Sequence, residues 1–280
     1  MTLIGAFILP HGSIILDPSK DAVPVQAKEL HDAMQDTVRM IEKLQPDLVF
    51  FSTPHGIALS HDFGIYMNQT GSGSAEWEGE YTDFKVKVEF DQTISAQLHN
   101  FLKKNKVAIS GITTYSAGLE APLRWGEVVP LWFLKDLPFK PKYLIMSQPS
   151  RRYEQAVDMI PELIDLGKVL KNYFDLLEKK VVVIISADLA HTHSASGPYK
   201  YSEIAEPFDN LIERWATTLN ADLLLKNASS LLNQALCCGY TGFVILQGLL
   251  EGTEFQPKVL IRANPTYYGM LVAEYIKESP

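Results

Sequence analysis

The stretch LIGAFILPHG, Leu3 to Gly12, sets an unbroken apolar run against a polar turn that carries a histidine. A continuous apolar run of this length suits a strand buried on both faces, as in a parallel sheet covered by helices. The pattern returns at Asp47 to Gly56, DLVFFSTPHG. Each copy places a histidine just past a strand and before a glycine, which is expected to let the backbone turn. Two imidazoles at the carboxyl ends of two strands can meet in one crevice, the place where α/β sheets build their sites. Neutral imidazole is the commonest protein metal ligand, although a loop histidine bonded to backbone is the plainer reading of either copy alone.

Working outward, Asp17-Pro18-Ser19 marks a turn, and Leu30, Met34, Val38, Ile41 and Leu44 recur at helical spacing within Val25 to Leu44. Such an amphipathic helix packs on a sheet. Further strands are predicted at Gly64 to Asn68, Phe84 to Phe90, Tyr143 to Ser147, Val181 to Ser186, Lys258 to Arg262 and Tyr268 to Tyr275. Helices are predicted over Ile94 to Lys104, Met159 to Leu177, Pro207 to Leu219, Ala228 to Leu236 and Gly239 to Leu250. Val128 to Leu134 fits a short helix or a strand, and Gly71-Ser72-Gly73-Ser74 is expected to begin a mobile loop that includes Trp77. Strands alternating with helices predict an α/β sandwich, helices around a central mainly parallel or mixed β-sheet with antiparallel edges. No Pro/Gly/Ser linker divides the chain, so residues 1–280 are expected to form a single domain.

Composition narrows the function. The 280 residues carry a formal net charge of -8, which argues against nucleic acid as the main partner. No apolar stretch approaches the roughly 20 residues of a membrane span. The N-terminus lacks a basic segment and a cleavage site of small residues, so no secretory signal is expected. Cys237 and Cys238 are the only cysteines. Adjacent cysteines rarely form a structural disulfide, and a reducing cytoplasm is the expected location.

A third polar cluster follows the run Val181 to Ser186: Ser186-Ala187-Asp188-Leu189-Ala190-His191-Thr192-His193. Four of the seven histidines (His11, His55, His191, His193) thus lie just past strand-like segments. The chain resembles the class III extradiol ring-cleavage dioxygenases, the catalytic-subunit family typified by protocatechuate 4,5-dioxygenase, and its relative Memo. The resemblance is carried by FILPHG (Phe7 to Gly12), FFSTPHG (Phe50 to Gly56), SADLAH (Ser186 to His191), SGPYKY (Ser196 to Tyr201), Phe208-Asp209, Cys238-Gly239, and Val129-Pro130-Leu131 after Gly126. It implies that His11 and His55 are metal ligands and that His191 is the active-site histidine that moves protons. In ring-cleaving members a glutamate near the start of the last helix completes a two-histidine, one-carboxylate site on Fe(II), leaving positions open for a catecholate and dioxygen.

That glutamate is absent here, where the chain reads Leu236-Cys237-Cys238-Gly239-Tyr240. Glu251 lies 13 residues beyond Cys238. On a helix, at about 1.5 Å per residue, that is roughly 20 Å. Glu206 reaches the site only if its loop folds back, and Asp188 is the better carboxylate. Memo-like proteins share the cysteine before glycine, which makes Cys238 a candidate thiolate ligand and shifts metal preference toward zinc or copper(I), with iron still feasible. The pair Cys237-Cys238 at a helix start also reads as buried packing residues or as an oxidation-prone thiol. Trp125 stands before Gly126, where many ring-cleaving members have histidine, and can stack on an aromatic ligand or fill the pocket.

His191 can instead orient Asp188, and His193 fits a surface or pocket-wall position. His31 and His99 belong to helices, and His61 has no motif support. Tyr199 and Tyr201 can touch substrate or simply pack. Arg151-Arg152 can clamp a carboxylate, although a solvated loop is the commoner fate of such a pair. The expected function is a non-haem Fe(II)-dependent extradiol dioxygenase that opens a catechol-like aromatic diol with dioxygen. In it His11, His55 and Cys238 hold metal, while Asp188 and His191 serve catalysis. The alternative is a Memo-like metal- or ligand-binding protein without ring cleavage. A zinc hydrolase has no specific support. A homodimer is expected from the resemblance alone.

Overall fold

The computed structural model describes residues 2–19, 23–76, 84–115 and 118–277. The first apolar run forms β1 (Leu3–Leu9), and the amphipathic segment after it forms α1 (Val25–Leu44). β2 (Leu48–Thr53), β3 (Phe63–Tyr66), β4 (Thr70–Ser74) and β5 (Lys85–Glu89) follow. Next come α2 (Gln92–Lys104), β6 (Ile109–Ile112), β7 (Ala121–Pro122), α3 (Trp125–Leu134) and β8 (Lys142–Ser147). A one-turn α4 (Arg152–Gln155) precedes α5 (Ile160–Asp175) and β9 (Val181–Ser186). The chain closes with α6 (Ala205–Thr218), α7 (Leu232–Ala235), α8 (Tyr240–Leu250), β10 (Gln256–Ala263) and β11 (Met270–Ile276).

Eight strands make one mixed sheet in the order β10-β11-β1-β9-β2-β8-β3-β6. Its centre, β1-β9-β2-β8, is parallel throughout, and the antiparallel pairs lie outside it. The central strands bury both faces, so their side chains alternate between two cores. Phe50, Val183 and Ile185 face the core shared with α2, α5, α6 and α8. Phe51, Val182 and Ile184 face the core shared with α1, α3 and the small sheet β5-β4-β7. Each fully buried phenylalanine contributes about 1.5–3 kcal/mol, which is why these runs carry no polar interruption. No helix among the described residues is long and apolar enough to cross a membrane.

The strand order positions the site. β9 lies between β1 and β2, with Leu9 beside Ser186 and Ser52 beside Ile185. The turns that follow all three strands therefore emerge side by side at one edge of the sheet, at a reversal of strand order where α/β sheets open a crevice.

Several expectations are corrected. Gly71 to Ser74 belongs to β4, paired with β5, rather than to a loop; Trp77 lies outside the described residues. Of the two readings open for Val128 to Leu134, the helix is the one formed. The expected helix over Ala228 to Leu236 is reduced to α7, after a π-helical turn at Leu223–Ala228 and a 3-10 turn at Ser229–Leu231. The hydroxyls of Ser229 and Ser230 donate back to backbone carbonyls there, which competes with regular helix. Sequence reading missed β6 and began the last strand too early, at Tyr268, whereas β11 starts at Met270. The two glycines after the histidines are not there for backbone freedom. Gly12 has φ -70, and neither glycine has a positive φ. A Cβ on Gly12 would lie 2.5 Å from Tyr268, and one on Gly56 would lie 2.6 Å from the Glu127 carboxylate. Close packing, not turning, excludes a side chain at both.

Candidate metal centre

His11 and His55 leave β1 and β2 with their ring centroids 4.8 Å apart and nearly perpendicular. Cys238, in the turn before α8, brings its sulfur to 3.4 Å from His11 Nε2. One ligand atom from each of His11, His55 and Cys238 lies within 4.8 Å of the others, and the same holds for Asp188, His191 and Cys238. The structure thus brings together all five residues singled out from the sequence. Glu206 and Glu251 are not among them. The first pairs with Arg262 and the second with Lys168.

A chain of hydrogen bonds fixes which nitrogen His11 presents. Pro130, inside α3, has no N–H to give to the carbonyl four residues back. That carbonyl, of Gly126, accepts the Ser186 hydroxyl proton instead. Ser186 Oγ can then only accept from His11 Nδ1–H, 2.9 Å away. His11 Nε2 is left as a bare lone pair facing Cys238 Sγ and Asp188 Oδ2, the latter at 3.3 Å. His191 is held by carbonyls too: its Nδ1–H donates to Leu189, and the Leu236 carbonyl also favours the protonated ring. Such second contacts typically tune metal affinity about 10–100-fold. Ser186→Ala is therefore expected to weaken metal binding by about 10–100-fold in competition with a chromophoric chelator. The imidazole would lose its anchor while the ligand set stayed intact.

Electrostatics agree with a cation site. Burial pushes His11 well below its ordinary value and His55 down to about 3, so both rings are neutral donors near pH 7. His191 is lowered to about 4, mainly by burial. Burial raises Asp188 to about 7, against the backbone N–H groups of His11 and Gly12, which favour the ionised form. Burial also pushes the Cys238 thiol up to about 12. The activated thiol expected from a helix start is thus corrected: desolvation outweighs any dipole effect in the absence of a cation. Cys237 is likewise raised, and its sulfur bonds the Asp188 carbonyl rather than joining the cluster.

A histidine lone pair, a carboxylate and a sulfur pointed at one another repel unless a cation or proton lies among them. The 3.4 Å between His11 Nε2 and Cys238 Sγ matches the roughly 3.5 Å between nitrogen and sulfur ligands of a tetrahedral ion with bonds of about 2.0 and 2.3 Å. The donor set therefore fits a metal ion.

The surroundings are aromatic. A 720 Å³ cleft over the cluster is lined by His11, His55, Asp188, His191 and Trp125, with Tyr199, Tyr267 and Tyr268. Trp125 is tilted against His55 with centroids 5.0 Å apart, and Tyr268 stacks on His191 at 5.5 Å. Tyr201 and His61 do not line the cleft. His193 is neither surface nor wall. It donates from Nε2 to the buried carboxylate of Asp209, whose other oxygen accepts the Ala190 N–H and so holds the Asp188–His191 loop. Sequence reading missed the roles of Tyr267, Tyr268 and Asp209. The only available signals were the paired tyrosines before Gly269 and the motif position of Asp209. Arg152 is also corrected, being 5% exposed rather than solvated.

Together these features define an α/β sandwich with a candidate histidine–cysteine–carboxylate metal centre at the carboxyl ends of its parallel strands. A family model described as the catalytic LigB subunit of aromatic ring-opening dioxygenase matches residues 5–273, and the chain belongs to that family. These are the class III extradiol ring-cleavage dioxygenase catalytic subunits. Comparison with curated proteins by sequence gives no match. Among solved structures, an uncharacterized protein of Escherichia coli K12 has a similar fold, with TM-score 0.59 and 12% identity, over 97% of this chain and 99% of that one.

Proposed function

We propose that this LigB-family chain is a Memo-like metal-binding protein, its ion held by His11, His55 and the thiolate of Cys238, with Asp188 alongside. The observation that carries this reading is the sulfur of Cys238, 3.4 Å from His11 Nε2, in the place where ring-cleaving relatives supply a glutamate oxygen. Thiolate with imidazole suits zinc or copper(I) better than the all-oxygen-and-nitrogen set typical of non-haem Fe(II) oxygenases. The ion would supply Lewis acidity and a binding point for a small ligand entering the aromatic cleft.

A second reading, extradiol ring cleavage, is favoured by one arrangement. His191, a neutral imidazole near pH 7, lines a cleft walled by Trp125, Tyr199 and Tyr268, where it would take a proton from a bound phenol. In that reading Asp188 and His191 are the proton-handling pair, and Fe(II) would bind catecholate and dioxygen.

The test uses the full chain, reconstituted separately and without air with zinc, copper(I) and ferrous iron, then given a panel of catechols and dioxygen. Stoichiometric zinc or copper(I), with no dioxygen uptake by the iron form, is the expected result. Dioxygen consumption with a yellow ring-opened product would establish the second reading and overturn the first.

A further inference from the structure

Next to the metal cluster a second hollow of 720 Å³ is lined by Arg152, and its wall includes His55, His191 and Cys238. Arg152 is an unusual group to find there. Its side chain is buried, yet no carboxylate among the described residues forms an ion pair with it, whereas its neighbour Arg151 pairs with Glu162. Of its five N–H groups, only Nη2 has a described protein partner, the carbonyl of Pro54 immediately before His55. Nε is buried with no hydrogen-bond partner among the described residues. Tyr153 covers one face of the guanidinium at 4.0 Å, which restricts the plane of the fork, and Nη1 has no partner among the described residues. A buried cation lacking both counter-charge and hydrogen bonds is costly, and a carboxylate supplies both at once through two parallel N–H···O bonds.

The rest of the hollow says what the anion is attached to. Val157 and Leu236 line it and are 40% and 44% exposed, and Trp125 lines it as well, on the wall shared with the first cleft. Large apolar side chains left open to solvent inside a concave site mark the body of a ligand. Glu154 and Asp158 lie on the same wall and disfavour a second negative charge.

We propose that this hollow binds an apolar monocarboxylate, with the carboxylate seated on Arg152 and the apolar body against Val157, Leu236 and Trp125. The site needs no metal ion, so it stands or falls apart from the metal reading.

The test is calorimetric titration of the full-length, chelator-treated chain with benzoate and with its neutral counterpart benzamide. Benzoate is expected to bind at least about tenfold more tightly than benzamide. Arg152→Gln is expected to lose that preference, Arg152→Lys to restore only part of it because the fork is gone, and Arg151→Gln to keep it in full. Equal binding of both probes by the unaltered chain overturns the proposal without recourse to any variant, as does undiminished benzoate binding by Arg152→Gln. A zinc titration of the same samples separates the two ideas. Arg152→Gln that takes up zinc but not benzoate supports both. If Arg152 only tuned the metal centre, zinc affinity would change while the benzoate preference persisted, and the proposal would be overturned.

Discussion

Cys238→Ser lowers the affinity for zinc or copper(I) by more than about 100-fold, since losing a ligand costs more than the 10–100-fold typical of losing its outer support. The substitution is close to isosteric, and the site can accept it without repacking. A serine hydroxyl near neutral pH is a poor donor to soft metals, whereas the thiolate is a strong one. Asp188→Asn separates the two anionic groups. If Cys238 is the third ligand, Asp188→Asn reduces affinity far less than Cys238→Ser does. The measurement is chelator competition with anaerobic, reduced protein. Equal affinities for the unaltered chain and Cys238→Ser, with the site emptied by Asp188→Asn, would sink the thiolate assignment.

Under the thiolate assignment, metal affinity is also expected to rise steeply with pH, and the groups responsible can be named. The metal-free thiol of Cys238 is pushed up to about 12, so it enters the ligand set by releasing a proton at any working pH. One released proton makes affinity climb about tenfold per pH unit, about 1.4 kcal/mol. Asp188 is raised to about 7 in the metal-free chain. Below that value it too is protonated and releases a proton when it ionises beside the metal ion; above it this contribution vanishes. His55, lowered to about 3, and His11, also held well below its ordinary value, are already neutral, so neither competes with metal through a proton. The plot of log affinity against pH therefore has a slope near one between about pH 7.5 and 9, and steepens toward two below about pH 7. Cys238→Ser should flatten the upper part, and Asp188→Asn should remove the steepening. Proton release measured in two buffers of different ionisation enthalpy gives the same count independently. A flat profile from about pH 6 to 9 would mean that no thiolate forms.

Much of this arrangement was legible from the residues alone. Runs such as Phe50-Phe51 and Val181 to Ile185, short, rich in aromatic or β-branched residues and bounded by polar turns, suit parallel strands buried on both faces, whereas the apolar run Val128 to Leu134 is a helix. The polar breaks at His11, His55 and Asp188 to His191 mark where those strands end. Strand order alone was enough to make the histidines neighbours once β9 fell between β1 and β2. Segments ruled by short-range competition were read less well. The serines at 229 and 230 break a helix that hydrophobic spacing predicts, and Gly12 and Gly56 owe their identity to side chains far along the chain.

By itself, then, the sequence determined an α/β sandwich and the donor types of a candidate metal site, since periodicity and residue chemistry are local properties. The tertiary structure decided how those donors are placed and what they bond. It led from the missing N–H of Pro130 through Gly126 and Ser186 to the bare, buried lone pair of His11. It gave His193 to Asp209 instead of to the cleft, and it left Arg152 buried without a carboxylate partner among the described residues. Each of these depends on atoms brought together from distant parts of the chain, and burial then fixes their protonation and partners in ways that no local pattern records.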